Sequence, residues 1–181
     1  MEREFNFNNE LSGKIAMVKG GTKGAGKAIA ERLLAAGAQV IITARNPPEE
    51  PNEKLYFISA DPSKPAGTAK VVTEVLSKFG RLDILINSLG GSETPACGFA
   101  NLTGEHWEET LQTNLLAPVR LDRAFLPQMI RQKTGVVIHI ASIKGKLPLY
   151  ESTLPYIMMA FTKKDNHNNE KTHSSDLKTY K

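Results

Sequence analysis

Between Lys14 and Gly37 the chain runs from a short apolar segment, Ile15 to Val18, through Lys19-Gly20-Gly21-Thr22-Lys23-Gly24-Ala25-Gly26 into a stretch with Ala, Leu and Ile at helical spacing. Four glycines in seven residues let the backbone take left-handed conformations and approach another backbone or a ligand closely, because no Cβ intervenes. A strand that feeds a helix through such a turn is the opening half of a parallel crossover unit.

The rest of the chain repeats this alternation. Short runs rich in Val and Ile read as strands at Ile15 to Val18, Val40 to Thr43, Leu55 to Ser59, Asp83 to Asn87 and Val136 to Ile140. Ala25 to Ala36 and Ala66 to Phe79 read as helices stopped by Gly37 and Gly80, and Glu105 to Gln132 as a long helix that Pro118 kinks or divides. The predicted fold class is α/β: a Rossmann-like, doubly wound parallel sheet, incomplete at about five strands, with right-handed crossovers. One domain is expected over residues 1–161. From Thr162 to Lys181 the composition turns polar, with Leu177 the only aliphatic residue, so a disordered tail is expected there.

Charge and cysteine content narrow the function classes. The formal charge is +4, and five lysines against three acids in residues 162–181 supply +2 of it, so the body is close to neutral. No dense basic face is indicated, which argues against a nucleic-acid binder. Cys97 is the only cysteine, which excludes an intramolecular disulfide and a cysteine-based metal cluster. No apolar run approaches the ~18 residues of a membrane span and the N-terminus lacks a signal-peptide core, so a cytoplasmic protein is expected.

The glycine turn suggests a ligand. Its backbone N–H groups and the positive end of the following helix suit a pyrophosphate, which makes Gly20, Thr22, Lys23, Gly24 and Gly26 candidate cofactor-binding residues. The alternative is a tight turn of purely structural use. A Walker-type parse, Gly21-x-x-x-x-Gly26-Lys27, fails at Ala28, where magnesium binding needs a hydroxyl, so phosphoryl transfer is the lesser alternative. At the end of the second strand, where folds that prefer NAD carry an acid for the ribose 2′-hydroxyl, stands Arg45. With Lys23 it favours a 2′-phosphate, hence NADP(H) over NAD(H). The other reading is two solvated surface cations.

Taken together, the glycine turn, Asp61 after the third strand, Asn87-Ser88-Leu89-Gly90 after the fourth, Asn114 in the long helix, Ser142 and Tyr156 resemble the classical short-chain dehydrogenases/reductases. Order and spacing agree from about Leu11 to Tyr156. The resemblance implies that Asp61 contacts adenine and that Asn87 and Gly90 lie beside the adenosine ribose. It implies a catalytic set of Tyr156 as general acid, Ser142 holding the carbonyl oxygen and Asn114 positioning a water in the proton relay.

Departures from that pattern set limits. Lys19 stands where the family has Thr, and Asn87-Ser88-Leu89-Gly90 where it has Asn-Asn-Ala-Gly. The active-site lysine expected four residues after Tyr156 is Ala160, and Lys163 and Lys164 lie about two helical turns beyond the tyrosine. Without a neighbouring cation a tyrosine keeps a pKa near ~10, too high for efficient proton transfer at neutrality. Family members continue for some 70 further residues, so the sequence reads as truncated or frame-shifted after Tyr156, with its fifth strand left as an open edge. The expected function is NADP(H)-dependent oxidation or reduction of a small carbonyl or alcohol, impaired in this chain. The alternative is a non-catalytic nucleotide-binding or interaction protein, and the partners expected are a homo-oligomer or a full-length homologue.

Overall fold

A computed structural model of the protein describes residues 9–88 and 101–140. In chain order these form β1 (Ile15–Lys19), α1 (Gly24–Ala35), β2 (Gln39–Ala44), β3 (Leu55–Ser59), α2 (Pro65–Phe79), β4 (Ile84–Ser88), α3 (Gly104–Leu111), a π-helical turn (Gln112–Leu116), α4 (Ala117–Arg131) and β5 (Val136–Ile140). The five strands make one parallel sheet in the order β3-β2-β1-β4-β5. Every strand predicted from the Val/Ile runs is present, with ends moved by one residue at most. The expected tail and the domain boundary at residue 161 lie outside the described residues.

Strand alternation divides the core into two layers. Met17, Ile41, Ile58 and Leu85 face α2 and α4, where they meet Val71, Val75, Leu121, Phe125 and Met129. Ala16, Val18, Val40, Ile42, Ile84 and Ile86 face α1, packing against Ala30, Ile29 and Leu33. Residues of both parities are apolar because both faces of the inner strands are covered. Each fully buried Leu, Ile, Val or Phe contributes ~1.5–3 kcal/mol of transfer free energy, so these two layers are the main source of stability.

Local signals explain the element ends. α2 begins with Pro65 in its first turn, where a missing N–H costs nothing, and ends at Gly80 in the left-handed region (φ 76°), whose N–H returns to the Leu76 carbonyl. α3 opens with a capping box between Thr103 and His106. At the far end of the sheet, buried Asp83 accepts the Ile15 N–H at 2.9 Å and the Arg81 Nε–H at 3.1 Å, fixing where β1 and β4 start.

The long helix is divided, as Pro118 led us to expect, and its division has a specific form. Pro118 sits in the first turn of α4, and just before it the Ala117 N–H reaches back five residues to the Gln112 carbonyl. Proline brings no N–H to the Asn114 carbonyl, so regular α-helical pairing cannot pass through this point. Pro127 lies inside α4 on its exposed side, where water can satisfy the carbonyl it leaves unpaired.

At the β5 edge, Val136 and Ile138 are 48% and 42% exposed. No described helix is long and apolar enough to cross a membrane.

Candidate functional site

The strand order reverses direction between β1 and β4, since the chain moves from β1 outward to β2 and β3 and then returns to β4 on the other side. In open α/β sheets such a switch point leaves a crevice beyond the C-terminal strand ends. The glycine turn opens there. Gly20 (φ 75°) and Gly24 (φ 57°) occupy the left-handed region that side chains disfavour, and the Gly20 N–H bonds the Thr43 carbonyl at 2.8 Å. Gly26 serves a different need: a Cβ there would stand 2.1 Å from the Gly20 carbonyl oxygen, so only glycine lets α1 close against its own entry turn. Lys23 precedes α1 in extended conformation with no side-chain cap, and the first turn carries no acid. The N-terminal N–H groups and positive helix dipole are thus not answered by a side chain of the turn, which suits an anionic ligand. This cradle fits a dinucleotide pyrophosphate.

Of the other predicted residues, those described stand near the C-terminal strand ends or on the π turn. Arg45 is exposed immediately after β2, and its carbonyl accepts the Ser59 hydroxyl at 3.2 Å. Asp61 accepts both the Ser63 N–H (3.1 Å) and its hydroxyl (2.7 Å). Burial acts to raise the Asp61 pKa, but those two bonds, together with Arg45 and Lys64, outweigh it and hold the carboxyl below its ordinary range. Thr22 is half-buried and Lys23 exposed on the rim. Asn114 is buried on the π turn. Gly90, Ser142, Tyr156 and Ala160 lie outside the described residues.

One row of the sheet concentrates polarity. Thr43 of β2 pairs with Lys19 of β1, Lys19 with Asn87 of β4, and Asn87 with His139 of β5. Paired residues of parallel strands share a face, so four polar side chains stand side by side on the α2/α4 face of the sheet, beyond an otherwise apolar layer. Asp122 of α4 joins two of them, accepting Asn87 Nδ2–H at 3.0 Å and contacting His139 Nε2 at 3.2 Å. The hydrogen bond to Asp122 raises the His139 pKa, against a smaller opposing effect of burial.

Lys19 is the least expected member. It is 7% exposed, and its Nζ makes a 3.5 Å contact with the Thr113 carbonyl on the π turn. Burial pushes its amine down to about 8, with Asp61 pulling the other way. The departure from Thr was visible in the sequence; the partners were not. Asp122 and His139 escaped sequence reasoning, although a lone acid beside Leu121 and Phe125 was a usable signal for the first.

Comparison with known proteins now becomes informative. A family model described as short chain dehydrogenase matches residues 14–156. The chain belongs to this family. Among curated relatives, an uncharacterized oxidoreductase of Bacillus subtilis is 34% identical over 157 residues, covering 82% of this chain and 58% of its own. The 3-oxoacyl-(acyl-carrier-protein) reductase of Salmonella typhimurium is 32% identical over 143 residues, covering 76% and 58%. This short-chain dehydrogenase therefore spans less than two thirds of the length of the relatives it matches.

Solved structures agree on the fold. L-sorbose reductase from Gluconobacter frateurii, complexed with NADPH and L-sorbose, superposes with a TM-score of 0.76 at 27% identity, covering 87% of this chain and 62% of that one. The 3-ketoacyl-(acyl-carrier-protein) reductase of Brucella melitensis, complexed with NADH, gives 0.76 at 25% identity, covering 84% and 66%. Family membership gives this chain a Rossmann-like nucleotide-binding fold.

Proposed function

We propose that this short-chain dehydrogenase binds NADP(H) in preference to NAD(H) and acts on a small carbonyl or alcohol substrate, with activity reduced by Ala160. The observation that carries the reading is the glycine cradle at the β1/β4 switch point, in which a Cβ at position 26 would stand 2.1 Å from the Gly20 carbonyl oxygen, so that only glycine fits. Gly20, Thr22, Lys23, Gly24 and Gly26 hold the pyrophosphate, Asp61 the adenine, and Asn87 and Gly90 the adenosine ribose. Arg45 and Lys23 pair with the 2′-phosphate through charge-assisted hydrogen bonds. Relatives support both cofactor classes, since the sorbose reductase is complexed with NADPH and the Brucella reductase with NADH.

When bound, the dinucleotide would supply hydride chemistry. Tyr156 gives its proton to the substrate oxygen, Ser142 hydrogen-bonds that oxygen, and Asn114 positions the water that resupplies the proton. Ala160 leaves the tyrosine with no adjacent cation, which lowers proton-transfer efficiency near neutrality. That same residue motivates the second reading, a nucleotide-binding chain that joins a homologue without catalysing turnover. A cytoplasmic location, and assembly as a homo-oligomer, belong to the proposal.

Titration of the full chain with NADPH and NADH by fluorescence, followed by turnover with a panel of ketones and 3-oxoacyl substrates, tests the proposal. We expect tighter binding of NADPH, a reversal of preference in Arg45→Asp, and slow but measurable turnover. Binding of neither dinucleotide would refute the reading, and binding without turnover would select the second.

A further inference from the structure

The row Thr43–Lys19–Asn87–His139 holds a charge that the glycine cradle does not use. Lys19 lies on the α2/α4 face at the end of β1, buried, with three N–H donors to place. Its contact with the Thr113 carbonyl, at 3.5 Å, is long for a hydrogen bond. Among the described residues, the buried side-chain oxygens without a hydrogen-bond partner are Thr43 Oγ1, Asn87 Oδ1 and Asn114 Oδ1. Two of these residues flank Lys19 on its neighbouring strands, and the third follows Thr113 on the π turn. Buried acceptors left unpaired cost free energy, and those of Thr43 and Asn87 stand on the strands either side of Lys19, whose ammonium reaches the π turn through the Thr113 carbonyl.

We propose that Lys19 is a positioning residue for dinucleotide binding: its buried ammonium ties the end of β1 to the π turn that carries Asn114 and steadies Asn87 beside it, and the tie fails when the amine is neutral. The inference rests on the dinucleotide reading above. Among the described residues, the charged groups facing this cluster are few. Asp61, after β3, attracts the ammonium, and Arg45 and Lys64 in turn hold Asp61. From α4, Asp122 faces the row through Asn87 and is shared with His139 of β5, while Arg120 is engaged with the Ser63 carbonyl and Gln112. The π turn offers a carbonyl and an amide, and β2 offers Thr43. Asp61 is held below its ordinary range by its bonds to Ser63 and by Arg45 and Lys64, and Asp122 raises the pKa of the His139 imidazole. Lys19, whose amine burial brings down to about 8, changes charge just above neutral pH.

The test uses the full chain, with Lys19→Met and Lys19→Thr as variants, in two measurements. NADPH affinity is followed from about pH 7 to about pH 9.5, and hydrogen exchange of residues 112–116 is compared with the variants at each pH. Wild-type affinity is expected to fall about tenfold over that range, while Lys19→Met binds weakly and neither variant shows that slope. The π turn is expected to exchange more slowly in wild type than in either variant at pH 7, with the difference lost at pH 9.5. Equal slopes in wild type and variants, or equal exchange at pH 7, would overturn the proposal while leaving dinucleotide binding intact. Absence of wild-type binding at every pH would refute the dinucleotide reading, and the proposal with it.

Discussion

Replacing Lys19 by Met should make this protein more stable, although Lys19 is buried and in contact. The amine is displaced from an ordinary value of 10.5 to about 8, chiefly by desolvation. That displacement corresponds to on the order of 3 kcal/mol of destabilisation. The sign follows from where each state binds its proton. Below about pH 8 the lysine is charged both folded and unfolded, and the folded chain bears the full cost of burying it. Between about 8 and 10.5 the folded state releases its proton first, and the cost fades. Methionine has a similar reach without the charge, so urea unfolding of Lys19→Met at pH 7, followed by far-UV circular dichroism, should show a gain on the order of 3 kcal/mol. With a slope of ~1–3 kcal/mol per molar urea, the midpoint rises by about 1–3 M. The gain should shrink toward zero by about pH 10.5. Coincident midpoints at pH 7, or a gain that persists undiminished at high pH, would show that burial of the charge is not what Lys19 costs. If the stabilised variant also binds NADPH less well, the residue exchanges stability for function.

Three further outcomes can be measured directly. Gly26→Ala places a Cβ 2.1 Å from the Gly20 carbonyl oxygen, so it should cost ~1–3 kcal/mol in unfolding free energy and weaken NADPH binding more than tenfold, whereas Gly104→Ala, whose added Cβ meets nothing within 4 Å, should be neutral or stabilising by ~0.4–1 kcal/mol. His139 has its pKa raised by Asp122, so the stability this pair contributes is complete below about pH 6.5 and disappears as pH rises through the folded-state value; Asp122→Asn should return the imidazole titration, read by NMR, toward its ordinary position. Truncating the fully buried ring in Phe125→Ala should lower unfolding free energy by ~3–5 kcal/mol without altering the denaturant slope.

Local chemistry made much of this fold readable. Val/Ile runs with both parities apolar gave the inner strands, Gly80 gave the end of α2, and the glycine turn marked the passage from the first strand into the first helix. Pro118 signalled that the long helix must break. What the sequence could not convey was lateral: that Thr43, Lys19, Asn87 and His139 share one row depends on register between four strands drawn from distant segments. The choice of a π turn over a simple kink was equally hidden, because it depends on where α4 must land on the sheet. Asp122 was masked for the same reason, since a helix position next to Leu121 shows its meaning only once Asn87 and His139 are set beneath it.

The π turn gives the α3–α4 region an unusual tolerance. A turn closed by a five-residue hydrogen bond holds one residue more than α-helical geometry requires. Deleting one residue from Gln112–Leu116 would therefore restore regular pairing up to Pro118 while leaving Leu121, Phe125 and Met129 in phase with the sheet. Length change at this point is decoupled from the core, and its effect falls on the presentation of Asn114. The helix can thus be retuned at the crevice by insertion or deletion, a kind of change that elsewhere in a packed helix would rotate its buried face out of register.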